Sequence, residues 1–343
     1  MADDSKEAVV DDRKQPQDRE QARASTQGPL PTAQLGGTGM EITRVGFGAW
    51  AIGGGGWEFG WGPQDDRDSI AAIERALELG VNWIDTAAAY GFGHSEEVVG
   101  RVLRALPEHR RPYVFTKCSL LEGPGRRVLH SLKRDSILRE AEASRARLGV
   151  EAIDLYQIHW PVPDEDIEEG FAALVELKEQ GLVRHIGVSN FDVAQLRRIQ
   201  QIAPVETLQP PYSLIDREVE SELLPFCERE GIGVIVYSPM GSGLLTGRMT
   251  RERIERLPDD DWRKRDPRFR EPQLSRHLAL VDRLRAIAER RGTVPGAVAV
   301  AWALRHPAVD GAIVGFRVPE QVDPILAAAV LELSAEEARE IEG

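Results

Sequence analysis

The sequence predicts an α/β fold, a single-domain (β/α)8 TIM barrel carrying a polar N-terminal tail, and three observations support that prediction. Apolar, β-branched runs alternate with helical patterns along the chain after residue 30. The runs number about eight, which a closed parallel barrel needs. Chemically unusual side chains, Asp85, Tyr90, Lys117 and His159, then fall at or just beyond the C-terminal ends of three of these runs, where such a barrel collects its active site.

Residues 1–30 mix acids with bases and hold almost no large apolar side chains, so they cannot bury enough surface to offset ordering entropy. They are expected to form a disordered tail, with the barrel spanning 31–343 and its folded body starting near Gln34. Strand patterns fall at 44–50, 81–86, 113–117, 153–159, 185–190, 207–209, 233–238 and 311–315. Helical patterns fall at 67–79, 95–106, 133–148, 167–180, 193–202, 218–230, 274–291 and 319–329. Two more are expected over 295–305 and 335–342. Gly80, Gly149, Gly181 and Gly231 stand where helix C-caps favour the left-handed backbone that glycine adopts without strain.

Of 343 residues, 42% are hydrophobic and 29% charged, which describes a soluble chain with one large core. A net charge of −13 argues against a polyanionic partner, so no nucleic acid is expected. No apolar stretch is long enough for a bilayer, and no apolar core precedes a small-residue cleavage site, so neither membrane insertion nor export is expected. Two cysteines, Cys118 and Cys227, give no disulfide framework and no metal spacing, which points to a reduced, cytoplasmic setting without a metal.

Asp85 and Tyr90 lie in "VNWIDTAAAYGFGHSE" (81–96), Lys117 closes "YVFTK" (113–117), and His159 lies in "IDLYQIHW" (153–160). A phenol with a pKa of about 10 is a sluggish acid, and a neighbouring ammonium is expected to lower that value. Singly, each residue has an ordinary structural reading: a solvated lysine, a packed tyrosine, a satisfied core histidine. Jointly, they form an acid/base set on successive strand ends. Lys117 could also form a Schiff base, as in aldolase-type barrels, although Asp85 favours a charged ammonium. An open doubly wound sheet would announce a dinucleotide with G-x-G-x-x-G, which "AIGGGGWEFGWG" (51–62) does not match. Its glycines read as a mobile loop at the barrel mouth, with Trp50, Trp57, Phe59 and Trp61 as candidate apolar walls.

These segments together resemble the aldo-keto reductases, over essentially the whole chain after the tail. "DTAAAYG" (85–91) is similar to the family's Asp and Tyr segment, "FTK" (115–117) to its Lys, "IHW" (158–160) to its His and "GVSN" (187–190) to its nicotinamide-contacting turn. "VIVYSPMGSGLLTG" (234–247) resembles the strand and loop that fold over the cofactor in the bacterial branch of general-stress and inositol-locus reductases.

The resemblance implies NAD(P)H extended across the barrel mouth, with NADPH expected over NADH, and a small-molecule carbonyl substrate. It assigns Tyr90 as proton donor, Lys117 and Asp85 as its support, and His159 as a hydrogen-bond donor to the carbonyl oxygen. Ser189, Asn190 and Gln209 would hold the carboxamide, and Tyr237, followed by Ser238, would stack on the nicotinamide. Gly241, Gly243 and Leu244 would approach the pyrophosphate, while Gly48, Ala49 and Trp50 would underlie the ribose. Gly315, Arg317 and Gln321 follow the last strand, with Arg317 the expected partner of a 2′-phosphate. Trp50, Trp57, Tyr90, His159 and Trp160 would face the substrate.

Two positions depart from the pattern: Ile325 stands where an adenine-reading Asn is common, and Ala88 where Pro is frequent. The charged insertion 248–273 is expected to be a lid over the adenosine end, with 263–265 ("RKR") available to phosphates. The fold also serves a non-catalytic role in potassium-channel β-subunits, so a cofactor-binding regulatory module is the remaining alternative.

Overall fold

The computed structural model describes residues 28–343, so residues 1–27 of the expected tail lie outside the described residues. Eight strands form a closed, all-parallel barrel in chain order. They are β1 (Val45–Gly48), β2 (Trp83–Asp85), β3 (Tyr113–Cys118), β4 (Ile153–Ile158), β5 (Val183–Ser189), β6 (Thr207–Gln209), β7 (Gly233–Val236) and β8 (Gly311–Gly315). β8 pairs with β1 through Val314–Phe47 and Gly315–Gly48, closing the cylinder.

The strands expected at 44–50, 81–86 and 233–238 are one or two residues shorter at their ends. Two expected helices are shorter for a backbone reason. The one drawn over 218–230 starts at Leu223, which puts Pro225 in its first turn, where a missing N–H costs nothing. The one drawn over 193–202 ends at Ile199, ahead of Pro204, whose ring disfavours helical backbone just before it. The run 319–329 is not one helix but a helical turn at Pro319–Gln321, a helix at Val322–Leu326 and a turn at Ala327–Ala329. The glycine C-caps hold, with Gly80, Gly149, Gly181 and Gly231 all at positive φ.

Two antiparallel hairpins were not foreseen. Thr32–Gln34 with Glu41–Thr43 delivers Leu35, Met40 and Ile42 into a core with Trp83, Phe115, Leu155, Ile235 and Ile313. Leu30 is already buried, so the folded body takes in residues ahead of the expected start near Gln34. The Trp83 indole occupies space that a side chain at Gly46 would need, since a Cβ there would lie 2.1 Å from the ring. The second hairpin, Leu120–Glu122 with Val128–His130, rises from the C-terminal end of β3. No helix among the described residues is long and apolar enough to cross a membrane.

Candidate active site

The expected site residues stand at one rim of the barrel. Gly48 closes β1, Asp85 β2, Ser189 β5, Gln209 β6 and Gly315 β8. Lys117 is the penultimate residue of β3, and His159 and Tyr237 directly follow β4 and β7. The rim surrounds a cleft of about 1130 Å³ lined by Gly48, Ala49, Trp50, Asp85, Tyr90 and His159. Ser189, Asn190, Gln209, Tyr237, Ser238, Gly243, Gly315, Arg317 and Gln321 line it too, as do Trp57 and Trp160.

Lys117 lies beneath this surface with a fully buried side chain. Its Nζ donates to Asp85 Oδ1 at 2.5 Å and to the Thr86 carbonyl at 2.9 Å. Gln209 Nε2 donates to the other Asp85 oxygen at 2.9 Å. Burial pulls the Lys117 pKa down and the Asp85 pKa up, and their mutual attraction opposes both shifts. Every polar contact of the pair is one an ammonium or a carboxylate makes, so it is held as a buried ion pair.

The Tyr90 ring lies over the ammonium, with Lys117 Nζ 5.3 Å from its centroid, and meets the His159 ring edge-on at 5.6 Å. The expected net lowering of the phenol pKa is not seen. Burial, then the Asp85 and Tyr237 charges, push the phenol well above its usual value. His159 is driven well below the usual imidazole range by burial, then by Lys117 and His130. It is neutral at pH 7, with one N–H to give. Its Nδ1 is buried with no partner among the described residues.

Beside this group the polar side chains are cross-linked. Ser189 Oγ donates to the Gln209 carbonyl, Asn190 Nδ2 to the His159 carbonyl at 2.9 Å, and the Tyr237 hydroxyl to Asn190 Oδ1 at 2.8 Å. Asn190, Ser238 and Ser242 adopt left-handed backbone at φ 64°, 54° and 54°, a strain that concentrates at the cleft.

The far end of the cleft differs in part from the expected arrangement. The Leu244 side chain is fully buried among Met249, Phe269 and Leu274, and of the three residues expected to present backbone N–H groups to a pyrophosphate, Gly243 lines the cleft. The residues 263–265 are committed within the protein. Arg263 binds Asp261 through two N–H groups at 2.9 and 2.6 Å, Lys264 binds Asp259 at 2.6 Å, and Arg265 donates to the Glu58 carbonyl. Arg317 lines the cleft, yet it also clamps the glycine-rich loop, donating to Gln64 Oε1 at 2.7 Å, the Trp61 carbonyl at 3.2 Å and the Pro63 carbonyl.

The insertion packs on that same loop. Trp262 stacks on Trp50 with centroids 5.1 Å apart, its backbone N–H donates to the Gly60 carbonyl, and Asp260 accepts from Gly56. Trp50 stacks in turn on Tyr90 at 6.2 Å, so three rings run from the insertion to the phenol. Leu120, Val128 and His130 of the second hairpin also line the cleft and were missed. The signal was present: "LLEGPGRRVLH" is two apolar runs around Gly-Pro-Gly. Among the described residues, no group of three or more His, Cys, Asp or Glu is placed to hold a metal.

A buried Lys–Asp pair thus lies beneath a Tyr and a His at the C-terminal rim of a parallel barrel, and the comparisons supply the family. The Aldo/keto reductase family model matches residues 44–343, and the chain belongs to that family. It is similar to the Aldo-keto reductase YhdN of Bacillus subtilis, 38% identical over 305 residues that cover 89% of this chain and 90% of the relative. It is also similar to the NADH-specific methylglyoxal reductase of Escherichia coli, 37% identical and covering 88% of this chain and 94% of that one. Among solved structures, the glycerol dehydrogenase AKR11B4 from Gluconobacter oxydans aligns with a TM-score of 0.80 at 37% identity, covering 93% of this chain and 94% of that one. An aldo/keto reductase from Klebsiella pneumoniae in complex with NADP and acetate aligns at 0.68 with 26% identity, covering 91% and 94%. The protein is thus an oxidoreductase of carbonyl compounds.

Proposed function

We propose that this chain reduces aldehydes and ketones to alcohols with NADPH, Tyr90 delivering the proton. The observation that carries the reading is the Lys117–Asp85 pair, fully buried and lying beneath the Tyr90 ring on the cleft floor. The cleft fits a nicotinamide dinucleotide in size and in zoning. Acceptor and hydroxyl groups of Ser189, Asn190 and Gln209 suit a carboxamide, the Tyr237 face suits a flat ring, and arginines occupy the opposite end.

A bound reduced nicotinamide supplies the hydride for the carbonyl carbon. The His159 N–H, on a neutral imidazole, hydrogen-bonds the carbonyl oxygen as negative charge builds there. Tyr90, whose phenol burial holds well above its usual pKa, gives its proton to that oxygen. Lys117 then stabilises the phenolate left behind, and Asp85 and the Thr86 carbonyl fix the ammonium in place. Trp50, Trp57, Leu120 and Trp160 supply apolar walls that exclude water.

NADPH is favoured over NADH because the adenosine end carries surplus positive charge. Arg317 keeps two of its five N–H groups uncommitted, and Arg248 and Arg253 line the same cleft with no ion pair among the described residues. The K. pneumoniae relative holds NADP whereas the E. coli relative is NADH-specific, so the two cofactors should be titrated side by side. Lys117→Met tests the machinery: reduction of an aldehyde panel should cease while NADPH affinity changes little. Wild-type protein trapped with an aldehyde and borohydride should carry no adduct on Lys117. An adduct would establish the Schiff-base alternative instead.

A further inference from the structure

Ser119 directly follows β3, is fully buried, and holds left-handed backbone at φ 81°, a conformation that a residue other than glycine keeps only where its surroundings impose it. Each of its polar groups goes to a different segment. The N–H donates to Glu140 Oε2 at 2.9 Å, on the helix Arg134–Leu148 outside the barrel. The carbonyl accepts from the Ser131 N–H at 3.0 Å, closing the base of the hairpin Leu120–Glu122 with Val128–His130. The hydroxyl donates to the Trp160 carbonyl and accepts from the Trp160 N–H, both at 3.4 Å. One residue back, the Cys118 carbonyl accepts from the His159 N–H at 3.1 Å. Leu120, Val128, His130, His159 and Trp160 line the cleft, and neither Ser119 nor Glu140 does.

A buried carboxylate is costly, and an ion pair is its usual compensation. The Glu140 oxygens accept instead from the Ser119 N–H and the Ser136 hydroxyl, and Arg147, whose charge Glu140 feels, is bound to Glu96 at 2.6 Å. An apolar side chain would fill the same volume at lower cost. The carboxylate is therefore explained by the turn it holds.

We propose that Glu140 is a positioning residue for the carbonyl substrate: it pins the Ser119 turn, and the turn sets Leu120 and its hairpin against His159 and Trp160 across the substrate. Glu140 touches neither substrate nor cofactor and acts through Ser119. The inference rests on the reductase reading above and extends it to the fit of the substrate's carbon skeleton. A hydrogen bond to a carboxylate is about twice as strong as one to a neutral acid, so the grip on the turn follows the charge of Glu140. Burial pushes that carboxyl up to about 7, so the charge changes near neutral pH. Facing it are the Cys118 thiol and the Tyr156 phenol, both pushed up by burial, and Glu96, which Arg147 and the Thr116 hydroxyl hold.

Steady-state kinetics at saturating NADPH test this with benzaldehyde, which has a ring to fit, and acetaldehyde, which has none; NADPH affinity is titrated separately. Glu140→Ala should raise the benzaldehyde KM about tenfold, the scale of one lost hydrogen bond to a charge, and spare acetaldehyde and NADPH. Asn190 still holds the His159 carbonyl, so kcat should change by about twofold at most. Ser119→Gly keeps the left-handed backbone and deletes only the hydroxyl, and should raise the benzaldehyde KM about threefold. Glu140→Gln keeps an acceptor for the Ser119 N–H without the charge. It should abolish the wild-type fall in benzaldehyde KM, about threefold, from about pH 6 to about pH 8. An unchanged benzaldehyde KM in Glu140→Ala, or the wild-type pH profile in Glu140→Gln, would overturn the proposal. So would equal losses for both aldehydes and NADPH, which reduce Glu140 to a structural role. Should Glu140→Ala not fold, Ser119→Gly and Glu140→Gln decide the matter by the same readings. Wild-type protein that reduces neither aldehyde would instead sink the reductase reading beneath it.

Discussion

Replacing Asp85 with Asn removes the counter-ion from an ammonium whose side chain is fully buried. The substitution is nearly isosteric, so its cost is electrostatic. An ammonium left uncompensated in such surroundings costs about 3–5 kcal/mol, and the Thr86 carbonyl at 2.9 Å offers only partial relief. Lys117→Met leaves a carboxylate that still accepts from Gln209 at 2.9 Å, so it should cost less, about 2–3 kcal/mol. The double variant Asp85→Asn/Lys117→Met leaves no buried charge, and an apolar thioether in place of the stem repacks without a void. It should therefore be more stable than the sum of the single changes predicts by about 2 kcal/mol or more. Urea unfolding of the four proteins, with m-values compared to check two-state behaviour, measures that coupling. Additivity within about 0.5 kcal/mol would refute a charged pair and leave Lys117 neutral in the folded protein, without the charge that the phenolate needs.

The Glu140 carboxyl lies behind β3, accepts from the Ser119 N–H and the Ser136 hydroxyl, and is pushed by burial to a pKa of about 7. Its folded pKa lies above the unfolded value of 4.5, so the folded state holds the proton longer. The associated stability is present below pH 4.5 and fades as pH rises toward 7, by about 3 kcal/mol, and Glu140→Gln should flatten that part of the stability–pH curve in denaturant titrations. An unchanged slope would mean that Glu140 ionises normally. Arg317→Ala should release the loop carrying Trp61, Pro63 and Gln64, seen as faster amide exchange there, and weaken both dinucleotides, NADPH about tenfold more than NADH. Equal weakening would restrict Arg317 to the clamp.

Much of this site was legible because strand ends declare themselves. Asp85, Lys117 and His159 each terminate or follow an apolar run, and the barrel forces such positions onto one rim. The Lys117–Asp85 pairing followed from their strand-end positions together with the family resemblance. The sign of the Tyr90 pKa shift did not, since it depends first on how completely the fold buries the phenol and then on how close it brings Asp85. Contacts between distant segments were equally hidden. "RKR" reads as a free phosphate-binding patch until Asp259, Asp261 and the Glu58 carbonyl claim its three cations. Trp262 looks like one aromatic in a charged loop, and only the fold sets it against Trp50. The hairpin Leu120–Glu122 with Val128–His130 was a different kind of miss, because its Gly-Pro-Gly turn signal was plain in the chain.

The central claim is that Tyr90 donates the proton, and single-turnover hydride transfer in Tyr90→Phe tests it most directly. The variant keeps the ring against Trp50 and His159 and loses only the hydroxyl. With NADPH prebound and an aldehyde in excess, oxidation of the reduced nicotinamide should slow by about a hundredfold or more while the NADPH dissociation constant stays at the wild-type value. Hydride transfer at the wild-type rate would contradict the account and move the proton donor elsewhere in the cleft.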